Sequence, residues 1–211
     1  MNKIYKKLVN KFFMAVVLLL CVVLVNAQTI NNVSYIDANG VTRTANNVTV
    51  ISTGGTQTLT SGWYMLRGTQ SFNGSLEING TVHLILEDSC NWTITDGGIR
   101  VDANNNISIY AQSTSTNMGR LTANGSGFSA GIGNRGETFM HTTAGSITIN
   151  GGVITANGGT TGVFGTLGSA GIGGGLYASG GTIIINGGII NALALVAHLK
   201  VMEALLQLPA A

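Results

Sequence analysis

From residue 145 onward, apolar and polar side chains alternate over short runs. Ile147 and Ile149 are separated by Ser146 and Thr148, the two-residue period of a strand with one buried face. Asn150-Gly151-Gly152 interrupts the run. Asn and Gly tolerate positive φ, so the chain turns a corner there at little cost. Val153 to Ala156 then reads as a second short strand and Ala170-Gly171-Ile172 as a third. The unit recurs: Gly145 to Ala156 matches Gly181 to Ala192 at an offset of 36, and Ser129 to Gly133 matches Ser169 to Gly173 at an offset of 40. Asn106 to Tyr110 echoes Ser146 to Asn150, and Leu121 to Gly125 echoes Ile154 to Gly158. Farther upstream, Val48 to Ile51, Trp63 to Leu66, Thr81 to Leu86 and Asn91 to Thr95 are strand-like.

A period of this size belongs to a stacked array, in which one unit buries its apolar face only against its neighbour. Three short strands per unit, with loops at the corners, predict an all-β parallel β-helix. A run of hairpins is the competing arrangement, because Asn-Gly also favours the type I′ turn. Hairpins leave the third motif and its long-range recurrence unexplained. Residues 28–75 are expected to form a strand-rich N-terminal cap and 76–192 the Gly-rich coils, with no Pro-rich or charged linker between them.

The pattern changes after Ala192. Residues 193–208 hold no Gly, and Lys200, Glu203 and Gln207 fall at helical spacing on one face. Read literally, 193–211 contains an amphipathic helix able to cap the open end of the stack. The other reading is a frameshift. Residues 192–197 back-translate, one nucleotide out of frame, into Gly-Ile-Gly-Thr-Gly-Gly, the motif that the repeat calls for at this point. Codon degeneracy makes such matches easy, and the coding DNA decides between the two.

Composition alters the picture at the other end. Lys3, Lys6, Lys7 and Lys11 precede an apolar run from Phe12 to Val25, and Val25-Asn26-Ala27 has small residues where a cleavage site needs them. Residues 1–27 are therefore expected to be a secretory signal peptide. The run is short for a membrane anchor, and Leu20 before Cys21 argues against a lipoprotein. Four of the ten basic residues leave with the signal, so six face eight acids and the formal charge turns from +2 to −2. That removes the basis for counterion-release binding to nucleic acid. Cys90 is then the only thiol, without a disulfide partner, and is expected to be a small buried residue.

Three stretches carry a family likeness: Thr58 to Tyr64, Val82 to Asp88 and Ile107 to Ser113. They resemble bacterial secreted proteins described as carbohydrate-binding-domain proteins. The Ala-Gly-Ile-Gly-Gly and Ile-Asn-Gly-Gly units resemble the repeats of the same surface proteins, and the leader ending at Ala27-Gln28 resembles those of the Bacteroides group. The likeness covers most of residues 33–192, and its motifs are structural. It implies a right-handed parallel β-helix at the cell surface, with some members binding acidic plant polysaccharides, sometimes with calcium. No motif here identifies a binding residue to carry over.

Little in the chain points to catalysis. A lyase or glycosidase needs clustered carboxylates, whereas only Glu87 and Asp88 are adjacent, and neighbours on a strand face opposite ways. Asp88, Asp96 and Asp102 converging across one corner would make a calcium site; solvated turn acids are the ordinary alternative. His83 alternates with Val82 and Leu84 and is expected to face out, and no Ser-His-Asp or Cys-His pairing is suggested. Gly131-Ile-Gly133 and Gly171 to Gly175 lack the lysine and helix of a phosphate loop. For sugar binding, Trp92 shares parity with Ile94 and reads as core. Tyr110 has the opposite parity to Ile107 and Ile109 and is expected to be exposed, and Phe139 and Tyr177 fall in corner loops. These three are the candidate ligand contacts, with loop packing as the plainer role. The expectation is an exported, non-catalytic protein that binds extracellular polysaccharide and has no cofactor unless calcium. A structural or adhesive solenoid, or less favourably a polysaccharide lyase or hydrolase, stands beside it.

Overall fold

The computed structural model describes residues 28–137, 142–160 and 168–194. The expected signal peptide, Phe139, His141 and the tail from residue 195 lie outside them. The described residues form strands and no helix, and no helix among them is long and apolar enough to cross a membrane.

The chain opens with β1 (Thr29–Ile30), the pair β2 (Val33–Ile36) and β3 (Thr42–Ala45), and β4 (Val48–Val50). Next come β5 (Gln57–Leu66), β6 (Thr69–Phe72), β7 (Leu76–Leu86), β8 (Asn91–Ile94) and β9 (Ile99–Arg100). β10 (Asn106–Ala111), β11 (Arg120–Asn124), β12 (Ile132–Gly133), β13 (Ser146–Ile149) and β14 (Val153–Asn157) follow. β15 (Ile172–Gly173), β16 (Thr182–Ile185) and β17 (Ile189–Leu193) end the series.

Sequence neighbours seldom pair. β4, β5, β7, β10, β13 and β16 form one parallel ladder, with β1 antiparallel on its first member. β6, β8, β11, β14 and β17 form a second parallel ladder. The two-residue strands β9, β12 and β15 make a third, parallel row. Among the described strands the one hairpin is β2–β3, joined antiparallel from Val33↔Ala45 to Ile36↔Thr42. The sheets are therefore parallel, and a run of hairpins is excluded over 76–193.

Register follows the apolar alternation. Val82, Ile107, Ile147 and Ile183 stand in one column, and Leu84, Ile109, Ile149 and Ile185 in the next. Trp92, Leu121, Ile154 and Ile190 make a facing column in the second ladder. A one-residue slip would turn every column to solvent. Up to β14 these side chains belong to a single core with Ile99 and Ile132 of the third row, and Ile190 packs against it, whereas Ile183 and Ile185 are exposed. Trp92 is fully buried, as its parity requires, and donates Nε1–H to the Arg67 carbonyl at 2.9 Å.

Corners use short polar groups. Asn157 Nδ2 donates to Asn124 Oδ1 at 2.7 Å, and Asn186 Nδ2 to Asn150 Oδ1 at 2.8 Å, so the repeated Asn stacks on its own copy. The Gly-x-Gly motifs serve close backbone approach. Gly133 has φ +151°, and a Cβ there would strike the Gly173 carbonyl on the neighbouring strand, which is why the third row is built on glycine.

Each rung is stabilised by the rungs on both sides. Ile109 is fully buried, while Ile183, in the last rung, is 41% exposed. Ile109→Ala should therefore cost about 2–5 kcal/mol in urea unfolding followed by circular dichroism. Ile183→Ala should cost less than half as much; equal losses would contradict the ladder.

Candidate functional site

Two surfaces gather chemistry-bearing side chains. The first is an aromatic cluster on the outward face of the first ladder. Parity turns Trp63, His83, Met65, Ile85 and Tyr110 away from the main core. The β2–β3 hairpin lies over them, and Met65, Ile85 and Tyr110 form a second small core with Val33, Ala45 and Val48. The hairpin is held shut by its own turn. Asp37 Oδ1 accepts from the backbone N–H of Asn39 and of Val41, each at 2.9 Å, and Asp37 Oδ2 pairs with Arg43 Nε at 2.9 Å. The Arg43 hydrogen bond, with those from the backbone, holds the Asp37 carboxyl below the usual carboxylate range. Gln112 Nε2 donates to the Ser34 carbonyl at 3.2 Å and ties the hairpin to the sheet.

Tyr110 is consequently not exposed. Its parity is as expected, but it retains 9% of its surface because the hairpin covers it, and burial pushes its phenol upward. The sequence pattern identified the outward face; the cover comes from residues more than sixty positions upstream. Trp63 and His83 stack with centroids 4.4 Å apart and planes 20° apart. Tyr35 lies 4.7 Å from Trp63 and 4.8 Å from Tyr110. His83 Nδ1 sits 3.2 Å from the Tyr110 hydroxyl. His83 does face out from the main core, but into this cluster, and desolvation lowers its pKa.

The second surface is a polar groove along the corner beside the third row. Thr56, Ser75, Glu77, Asp96, Ser126 and Ser129 line a concavity of about 240 Å³ together with Arg100 and Arg135. A neighbouring concavity of about 370 Å³ shares those two arginines and adds Asp102, Glu137, Thr142 and Thr143. Register places Arg100 beside Glu77 on β7 and beside Gly133 on β12. Arg100 Nε lies 2.7 Å from Asp102 Oδ2, and Nη1 lies 3.7 Å from Glu77 Oε1. The close Nε contact is an ion pair without hydrogen-bond alignment, so the buried Nε–H has no aligned acceptor. Arg43 and Arg67 are occupied by Asp37 and Glu87, whereas Arg135 has no ion-pair partner among the described residues.

The groove was not legible beforehand. Its residues are scattered from Thr56 to Thr143, and each reads singly as a loop position. The one available signal was the pair of acids flanking Arg100 in sequence. Of the expected contacts, Tyr177 is exposed at 52%, with φ +60° in the corner after β15. It makes no ring contact among the described residues and joins neither surface. Asp88 accepts from Ser113 Oγ at 2.8 Å, apart from Asp96 and Asp102. No group of three or more His, Cys, Asp or Glu positioned for a metal ion occurs among the described residues. Cys90 is buried as expected, and burial raises its thiol to about 11, too high for a nucleophile at neutral pH.

Comparison with family models, with curated proteins and with solved structures finds no match to this chain.

The His83 environment sets a pH dependence. Its folded pKa lies below the usual 6.5 through burial, so between the two values the unfolded chain binds the extra proton. Stability is complete above the unfolded value and falls as pH drops below about 6.5. The urea midpoint should therefore decline from pH 7.5 toward 5, and His83→Gln should flatten that decline. An identical slope in the variant would show that His83 titrates as freely in the folded chain as in the unfolded one.

Proposed function

We propose that this chain is an exported, non-catalytic protein that binds extracellular polysaccharide on a right-handed parallel β-helix. The recurrence of three short strands at offsets of 33–40 residues, each stacked in parallel on its own copy, supports the helix. The likeness to secreted carbohydrate-binding proteins of the Bacteroides group and the N-terminal leader support a secreted or surface location.

One observation carries the binding assignment: the continuous polar groove around Arg100 and Arg135. Hydroxyls from Thr56, Ser75, Ser126, Ser129, Thr142 and Thr143 stand beside guanidinium donors and carboxylate acceptors. That mixture suits the many hydroxyls of a glycan, which offer both donors and acceptors and need both in return. Glu77 and Asp102 are both drawn to Arg100, which leaves them poorly placed as a free acid and base pair. With six basic residues against eight acidic ones after the leader, a nucleic-acid partner has no electrostatic support. Calcium enters this reading only through the groove carboxylates and a bound glycan.

A second reading, a structural or adhesive solenoid with no ligand of its own, is favoured by the exposed apolar last rung, where Ile185 and Ile189 stand 52% and 60% open.

A glycan array probed with the chain from Gln28, with and without calcium, separates these readings. Retention of at least one polysaccharide is expected. Arg100→Ala with Arg135→Ala should weaken it by about tenfold or more, the scale of one lost charge-assisted contact, while Tyr177→Ala should change little. Binding to no glycan would favour the structural reading. Full binding by the double variant would move the site elsewhere, and release of reducing or unsaturated sugar would make the protein an enzyme.

A further inference from the structure

A concavity separate from the groove lies where the first ladder hands over to the second. Successive rungs build this corner differently. Residues 112–119 carry the chain from β10 to β11, whereas 150–152 and 186–188 make the same turn in three residues each. The long loop therefore stands beside two short steps, Asn150-Gly151 and Asn186-Gly187, and the hairpin turn closes the space with Ile36, Asp37 and Ala38. The result is a pocket of about 220 Å³.

Its polar lining is only half bonded. Asn150 is 8% exposed, and its Oδ1 accepts from Asn186 Nδ2 at 2.8 Å. Asn150 Nδ2 has no acceptor among the described residues and is not sealed from solvent. Asn186 Oδ1 likewise receives no donor among them. The stacked amides thus present one open donor and one open acceptor, and a polar group so deeply buried is normally bonded. Ile36, Ala38, Ala111 and Met118 supply apolar lining around them. Asp37 is the single charged residue of the lining, and it is engaged by Arg43 and by its own turn. An anionic ligand would meet that carboxylate and no lining cation.

We propose that this pocket binds one uncharged pyranose ring, as a site distinct from the arginine groove. The volume lies below the roughly 300–1,000 Å³ of sites for drug-sized ligands, which suits a single ring rather than a chain. Adjacent ring hydroxyls each donate and accept, and so answer the Asn150 donor and the Asn186 acceptor together. The C–H face of the ring is apolar and matches Ala111, Met118 and the hairpin residues. The ligand class rests on the glycan-binding reading; the location does not.

Saturation-transfer NMR on the chain from Gln28 tests the pocket. Methyl β-glucoside, methyl β-galactoside, methyl α-mannoside and methyl β-xyloside serve as neutral probes, and glucuronate as the charged one. At least one neutral probe should bind saturably, with glucuronate about tenfold weaker or more. Ala38→Trp fills the exposed rim and Asn186→Ala removes the open acceptor. Each should weaken binding by about tenfold or more, with the strand signal in circular dichroism retained. Arg100→Ala with Arg135→Ala should lose polysaccharide yet keep the monosaccharide. Equal binding of glucuronate would overturn the uncharged class. Binding unchanged in both pocket variants would overturn the site, as would loss of the monosaccharide in the arginine variant. Polysaccharide retained while every neutral probe fails would overturn the pocket and leave the groove standing; the converse result would do the reverse.

Discussion

Everything in this structure depends on parallel pairing between segments 15–40 residues apart. Apart from β5 and β7, each strand has only two to six residues, and so short a segment with one apolar face buries little surface alone. Stacked, Val82, Ile107, Ile147 and Ile183 become one column, and Trp92, Leu121 and Ile154 another facing it. The backbone ladder sets the height of each rung and the apolar columns set its register. Failure of either exposes the other. The cost is that a rung without a described neighbour leaves its columns open, as Ile183 and Ile185 show.

Near the N-terminal end the chain supplies its own cover. The β2–β3 hairpin, locked by Asp37 at its turn, closes over Met65, Ile85 and Tyr110, beside the stacked Trp63–His83 pair that register brings together on β5 and β7. The result is a small second core outside the main one. His83 pays for its place there in proton affinity, because the cluster that stacks on its ring also removes the water that would solvate its charge. The corner beside the third row has the opposite character. Gly133 and Gly173 bring their backbones so close that a Cβ on Gly133 would strike the Gly173 carbonyl, and the polar side chains around Arg100 and Arg135 line the groove beside them.

The repeat was legible in the sequence to the residue. The matches of Ser146 with Thr182, Asn106 with Ser146 and Leu121 with Ile154 are the observed partners across the ladders. This works because a stacked array converts sequence similarity into spatial adjacency: like residues pack on like, and Asn bonds to its own copy. The burial of Trp92 was legible for the related reason that parity along a strand decides its face. The exposure of Tyr110 was misjudged on the same rule. Parity tells which face a side chain takes and is silent about what lies on that face.

The sequence alone thus determined the strands of the recurring units, their apolar faces and the partners of the matched repeats, because those are local and periodic properties. Only the tertiary structure decided what covers those faces. It put the hairpin on Tyr110, left Ile185 and Ile189 open in the last rung, and assembled a groove from Thr56, Glu77, Arg100 and Arg135. Those residues share no period and no motif; they meet because the corners of successive rungs stack, and that proximity exists only once the array is built.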